Sequence, residues 1–206
     1  MCYHISKREC YSSMWATIDA INGHPEFLIE FPIGDVGKLQ QIELDFALAH
    51  MRRYGSMSWR GEVGAIDGMD ISQRNPGKAV RNPLRFHVDR KDGYELLCIA
   101  ICDAHRRFTF YDMSHEARSH DSNAWAGTPL GVKINEGALP LPFFLNGDAA
   151  FTCTNSMITP TGGATDFDFY QSSTAWPSSA RSGCSSAGGA CSGARWRSSS
   201  SAGPLW

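Results

Sequence analysis

The sequence predicts an α/β domain in which three strands form a meander and a fourth returns beside the first. Three stretches predict it. In Glu62-Val-Gly-Ala-Ile-Asp67-Gly-Met-Asp70-Ile71, the residues Val63, Ala65 and Ile66 suit a sheet, and Gly68 lets the chain turn close to whatever Asp67 holds. Tyr94–Cys102 is nearly all apolar, as expected for a central strand covered on both faces. Pro142-Phe-Phe-Leu145 is a shorter apolar run that ends in Asn146-Gly147-Asp148.

The remaining elements follow in order. Ser6 with Glu9 makes a capping box, and Tyr11, Met14, Trp15, Ile18 and Ile21 recur at helical spacing until Asn22-Gly23. Beyond Pro25 and Pro32 a second helix carries Leu39, Ile42, Phe46 and Ala49 on one side. Arg52 and Arg53 suit its C-terminal dipole, and Gly55 ends it. After the Asp67 strand, Ser72 to Lys91 is a polar loop holding Arg74, Lys78, Arg81, Arg85, Arg90 and Lys91. It is either a solvated surface loop or a phosphate contact beside Asp67. Asp103-Ala-His-Arg-Arg107 is a tight connection to a third strand, Phe108-Thr-Phe-Tyr111. Ser119-His120-Asp121-Ser122 opens a short helix containing Trp125, with a break near Gly127 to Pro129.

A chain of 206 residues suffices for one domain with a good core, or one domain and an appendage. No apolar run approaches the ~20 residues that span a bilayer, and the N-terminus lacks the apolar core of a signal peptide. These features predict a soluble intracellular chain without a membrane partner. The net charge of -2 gives no global basic field, which leaves only a local basic face for nucleic acid. The seven cysteines are odd in number and lack metal-finger spacing. Cys98 and Cys102 read as buried thiols, and reduced cysteines fit the cytosol or nucleus.

The carboxylates carry the chemistry. Asp67 on an apolar strand is costly to bury unless a cation or hydrogen bonds compensate it. It is either a turn residue bonded to its own backbone or a ligand to a hard divalent cation. Asp148 stands where the fourth strand runs out, so the two acids can converge on one edge of the sheet. Close carboxylates repel, and a bound cation removes that penalty. Two such ions about 4 Å apart stabilise the attacking and leaving oxygens of a phosphodiester. His115 and His120 read as hydrogen-bonded loop histidines, because hard cations prefer oxygen.

Taken together, Gly64-Ala-Ile-Asp67-Gly68, Tyr94 to Asp103, Ser119-His120-Asp121-Ser122 and Asn146-Gly147-Asp148-Ala149-Ala150-Phe151 resemble the DDE endonuclease domain of PIF/Harbinger-type transposases. The resemblance covers about residues 6 to 174. The helix from Ser6 to Asn22 is similar to the end of the family's helix-turn-helix region, which marks a chain truncated before it. The resemblance implies a ribonuclease H-like mixed sheet flanked by helices, with residues 1–55 as an N-terminal helical segment and 60–174 as the nuclease core. It implies cleavage of DNA with Mg²⁺ or Mn²⁺, held by two aspartates and a glutamate. It also implies a nuclear chain in preference to a cytoplasmic one, with room for an accessory DNA-binding protein. Asp67 matches the first acid and Asp148 the second. Asp121 is a third recurring carboxylate, capping the helix that follows or serving as a secondary metal ligand. The six basic residues of the loop would position the DNA backbone.

After Tyr170-Gln-Ser-Ser-Thr174 the family continues into a helix with the catalytic glutamate. Here Ala175-Trp-Pro-Ser-Ser-Ala-Arg-Ser-Gly-Cys184 opens a tail, 175–206, rich in Ser, Gly and Ala. No Asp or Glu follows Asp168, and the tail has no apolar periodicity, so disorder is expected. Suitable synonymous codons, read from the third base of each codon from Ala175, give Met-Ala-Ile-Glu-Arg-Ala-Phe-Gly-Met-Leu-Val-Ser-Arg-Trp-Gly-Met-Leu-Trp-Gly-Pro-Leu. That is the family's glutamate helix. Its glutamate straddles the codons of Ser178 and Ser179, and the alanine spanning Trp176 and Pro177 is forced by the code. A one-base frameshift after Thr174 is the expectation, and a genuine low-complexity tail is the alternative. Asp166 and Asp168 come too soon after Asp148 for the family's spacing, so little or no cleavage is expected. A non-catalytic module that binds DNA or protein is the alternative function. A product that fails to fold is a third, because the absent helix normally covers an apolar face of the sheet.

Overall fold

The computed structural model describes residues 6–57, 59–89 and 92–162, apart from the side chain of Ala79. The chain divides into two compact units, residues 1–31 and 32–206. In the first, α1 (Lys7–Asn22) begins with the predicted capping box. Ser6 Oγ accepts from the Glu9 N–H at 3.2 Å, and the Glu9 carboxylate accepts from the Ser6 N–H at 2.8 Å. Tyr11, Met14, Trp15 and Ile21 are exposed along it.

In the second unit α2 (Val36–Tyr54) is capped by Asp35 and closes at Gly55 in the left-handed conformation. Its buried residues are Leu39, Glu43, Phe46, Ala47 and His50, whereas Ala49, expected on that side, is exposed. The buried stripe includes two polar groups because each has a partner. Glu43 accepts from the Arg60 guanidinium and from the Gly61 N–H at 3.2 Å, and His50 Nδ1 lies 3.1 Å from the Ser56 carbonyl. The Arg60 contact holds the Glu43 carboxyl below its ordinary range. α2 is thereby bolted to the segment that enters the sheet.

β1 (Glu62–Gln73) does not turn at Gly68 but runs on to Gln73. The polar loop then holds more structure than its composition announces. Two 3-10 turns, Gly77–Ala79 and Pro83–Phe86, lead into β2 (His87–Val88), which pairs with the start of β3 (Gly93–Cys102). β3 pairs antiparallel with β1, from Ala65↔Cys102 to Gln73↔Tyr94. Every residue from Leu97 to Cys102 is buried, as a strand covered on both faces requires. Asp103 fixes the tight connection: Oδ1 accepts from the His105 and Arg107 N–H groups at 2.8 and 2.9 Å, and Oδ2 accepts from Arg107 Nε at 2.8 Å. β4 (Phe108–Glu116) extends past Tyr111 and completes the meander along the other edge of β3.

α3 (Asp121–Gly127) breaks at Thr128, where α4 (Pro129–Asn135) starts, its Gly131 N–H donating to Thr128 Oγ1 at 2.9 Å. Trp125 of α3 meets Phe110 of β4 edge to face at 6.2 Å, so α3 covers that face of the meander. β5 is Phe144–Asn146 and not Pro142–Leu145, because Phe143 N–H closes a turn onto the Pro140 carbonyl before the strand begins. It pairs parallel with β1, Glu62↔Phe144 and Ala65↔Asn146. β6 (Met157–Ile158), too short to show a sequence pattern, pairs parallel with β5. The result is a mixed six-stranded sheet flanked by helices, with the predicted meander and the predicted return beside β1, consistent with a ribonuclease H-like fold. No helix among the described residues is long and apolar enough to cross a membrane. The expectation for the tail, 175–206, falls outside the described residues.

Candidate active site

Two buried polar side chains set the strands that carry Asp67 and Asp148. Glu62 at the start of β1 is 1% exposed and Asn146 at the end of β5 is 0% exposed. Asn146 Nδ2 donates to Glu62 Oε1 at 3.3 Å, and Trp59 Nε1 donates to Glu62 Oε2 at 2.7 Å. A carboxylate this deep is tolerated only when its oxygens are bonded, so this contact ties β5 to β1 in one register. From the pair Ala65↔Asn146 the two chains run in the same direction, and Asp67 and Asp148 both lie two residues further on. Between them Gly147 presses on Ile66. A Cβ at Gly147 would sit 3.0 Å from Phe151 Cδ2 and 3.2 Å from Ile66 Cγ2, tighter than ordinary contact. Glycine thus lets the Asn146-Gly147-Asp148 segment leave the sheet hugging β1.

Asp148 is exposed and stabilises its own turn, its Oδ1 accepting from the Ala150 N–H at 2.9 Å. Asp67 is half-buried opposite Ala100, and its Oδ1 accepts from the Gly68 N–H at 2.8 Å. That local bond is made without a turn. Asp121 approaches β1 from the other face: a Cβ at Gly68 would lie 2.5 Å from its Cγ, and Gly68 and Asp67 point to opposite faces of the strand. Asp121 is the first residue of α3, while His120 occupies the cap position without capping through its side chain. The capping role expected of Asp121 is therefore not the one it has. Its carboxylate makes no hydrogen bond among the described residues; burial, then the charges of Asp148 and Asp70, raise its pKa against the pull of His120.

Among the described residues no histidine or cysteine belongs to a group of three or more placed to hold one ion. His115 lies in β4 rather than a loop, and its buried Nε2 has no hydrogen-bond partner among the described residues. Cys98 and Cys102 are buried free thiols, with Cys102 pushed up to about 11 by burial and by the charges of Asp103, Glu62 and Asp67. Of the basic loop, Arg74, Lys78, Arg81 and Arg85 are exposed, and Arg85 pairs with Glu116 on β4. The loop starts beyond Gln73, about 20 Å along β1 from Asp67. Arg90 and Lys91 lie outside the described residues, as do Asp166 and Asp168.

Carboxylate oxygens are the donors a hard divalent cation prefers, and the mutual repulsion written into Asp121 is the kind a cation relieves. The donor type fits, but the set is incomplete. Among the described residues no group of three or more His, Cys, Asp or Glu is placed to hold one ion. Sequence reasoning gave no role to Glu62, Asp70 or Asn146. The signal for Glu62 was available, since a carboxylate opening an apolar strand demands a buried partner. The partner itself, 84 residues away, was not.

No curated protein and no solved structure matches the chain. A family model described as DDE superfamily endonuclease matches residues 66–182, from just before the first aspartate to beyond the second. With more than half of its length inside that match, the chain belongs to the DDE superfamily endonucleases.

Proposed function

We propose that the chain is the endonuclease domain of a PIF/Harbinger-type transposase in which Asp67 and Asp148 hold the metal ions and the third acid has been lost to a frameshift after Thr174. The observation that carries this reading is the parallel pairing of β1 with β5, which brings two acids from distant parts of the sequence to one level of the sheet. The family's substrate is DNA. Mg²⁺ or Mn²⁺ bound there would stabilise the attacking and leaving oxygens of a phosphodiester. The chain's own residues supply the framework: the Glu62–Asn146 contact fixes the register, and the turn behind Asp148 aims its carboxylate. Asp121 acts from the far face of β1, through its charge on Asp148. The exposed basic loop binds DNA backbone at a distance from the acids, in the nucleus, and an accessory DNA-binding protein supplies target choice.

With no acid after Asp168, the chain binds DNA but cleaves little or none. A supercoiled-plasmid nicking assay in Mg²⁺ and in Mn²⁺, with Asp67→Ala as control, tests this. Wild type and variant are expected to be equally inert, and efficient nicking that disappears in Asp67→Ala overturns the inactivity. The second reading, a purely binding module, is favoured by Arg74, Lys78 and Arg81, which have no hydrogen bond or ion pair among the described residues. Salt-sensitive duplex binding without cleavage is its signature.

A further inference from the structure

We infer that Glu116 is an internal stand-in for a DNA phosphate, occupying Arg85 in a phosphodiester subsite formed by Arg81, Asn82 and Arg85 until DNA displaces it. The inference rests on the DNA-binding reading above and deepens it. Val80, Arg81, Asn82 and Arg85 line one open depression of about 560 Å³. The shape comes from the 3-10 turn Pro83–Phe86, whose proline start and Arg85 N–H bond to the Asn82 carbonyl (3.3 Å) bring Asn82 and Arg85 around one rim. Two arginines line this concavity, and the Glu116 carboxylate answers one of them. Arg85 is paired with Glu116, near the end of β4 where Glu116 lies opposite Leu96. The Arg81 guanidinium and the Asn82 carboxamide make no hydrogen bond or ion pair among the described residues. The neighbouring Arg118 is already committed, donating to the His87 carbonyl at 2.9 Å and to Asp89 at 3.0 Å.

Charge and geometry select the ligand. Arg81 and Arg85 of the depression, set against the Glu116 carboxylate paired with Arg85, leave one net positive charge, and a concave site focuses such a field outward. A phosphodiester carries one negative charge and presents two free oxygens to a guanidinium fork, as a carboxylate does. It can therefore take the place of Glu116 on Arg85 while also reaching Arg81 and the Asn82 amide. The exchange is cheap because the Arg85 side chain is 58% exposed and Glu116, half-buried at 30%, still reaches solvent, so the pair is screened. The same chemistry is offered by free phosphate, so the test separates the two sources.

Binding of the full chain to a fluorescein-labelled duplex is followed by anisotropy over a salt series, for wild type, Glu116→Gln, Arg85→Ala and Arg85→Lys. Glu116→Gln is expected to bind about two- to fivefold tighter at low salt, the strength of an exposed ion pair. Arg85→Ala is expected to weaken binding and to flatten the slope of log affinity against log salt by about one. Arg85→Lys should keep that slope and lose affinity. In parallel, inorganic phosphate is titrated while the Arg side-chain Nε–Hε resonances are recorded. Shifts confined to Arg81 and Arg85, absent in Arg85→Ala, support the subsite independently of DNA. If the duplex binds but Glu116→Gln and Arg85→Ala match wild type, the subsite is overturned and the DNA reading stands. If phosphate shifts both arginines while neither wild type nor Glu116→Gln binds the duplex, the DNA reading is overturned and the anion site remains.

Discussion

Asp121 and Gly68 occupy one space, and that crowding has a pH consequence. Only a residue without a Cβ lets the carboxylate lie on β1, and the carboxylate does so beside Asp70 and Asp148, with His120 pulling the other way. Its pKa in the folded chain is above the ordinary 3.8, so the folded state holds the proton more tightly than the unfolded state does. Stability on this account is greatest when Asp121 is protonated, and it falls as pH rises from 3.8 through the raised value. Above that value the ionised group is a net cost. Asp121→Asn, neutral throughout, is expected to melt above wild type near neutral pH, with the gap closing as pH falls towards 3.8. Calorimetric Tm measured between about pH 4 and pH 8 checks it, and a pH-independent difference defeats it. At this scale the sequence was legible in part. Asp67 and Asp148 stood out as acids on apolar strands. The crowding of Asp121 onto Gly68 did not, because a helix residue and a strand residue 53 positions apart meet only in the tertiary structure.

Among the elements, β1 and β5 are the pair on which the candidate site depends. They share few hydrogen bonds, since β5 has three residues, so the buried contact between Glu62 and Asn146 carries more of the register than it would in a long ladder. Removing the donor takes one hydrogen bond from a buried carboxylate oxygen. Asn146→Ala is expected to cost about 1–3 kcal/mol and to lower Tm by roughly 2–10 °C. A thermal melt that leaves Asn146→Ala within a degree or so of wild type would falsify this role. Long periodic stretches announced their elements: α1 with its capping box, α2 with its glycine stop, β3 with its apolar run. Shorter ones did not. β2 and β6 have two residues each and owe their pairing to the neighbours they find. β5 begins after the prolines because Pro140 anchors a turn there, and α2 rotates towards Glu43 and His50 because Glu43 accepts from Arg60 and Gly61 and His50 pairs with the Ser56 carbonyl.

For the whole molecule, the strand order foretold the topology, whereas the third acid enters only through the proposed frameshift after Thr174. The register aligns Ala65, Cys102 and Phe108 in one row across the sheet and Asp67, Ala100 and Tyr111 in the next. Phe108 and Tyr111 are exposed on the Asp67 face, 43% and 48%, which is apolar surface beside a charged site. On the proposed frameshift, the shifted reading of 175–206 would supply a cover for that face. Met-Ala-Ile-Glu-Arg-Ala-Phe-Gly-Met-Leu brings apolar residues at helical spacing and one glutamate among them. Laid over the face, such a helix would cover the aromatic row and bring a third acid to Asp67 and Asp148. Replacing residues 175–206 with the shifted sequence is therefore expected to confer Mg²⁺-dependent nicking that is absent from the chain as written. Asp67→Ala, or glutamine in place of the restored glutamate, should abolish it. Binding of a hydrophobic dye should fall in the restored chain, because the exposed rows are buried. A restored chain that is soluble, loses dye binding and still does not nick DNA would mean that the helix covers the sheet without completing a nuclease. Nicking that survives loss of the restored glutamate would place the third acid elsewhere.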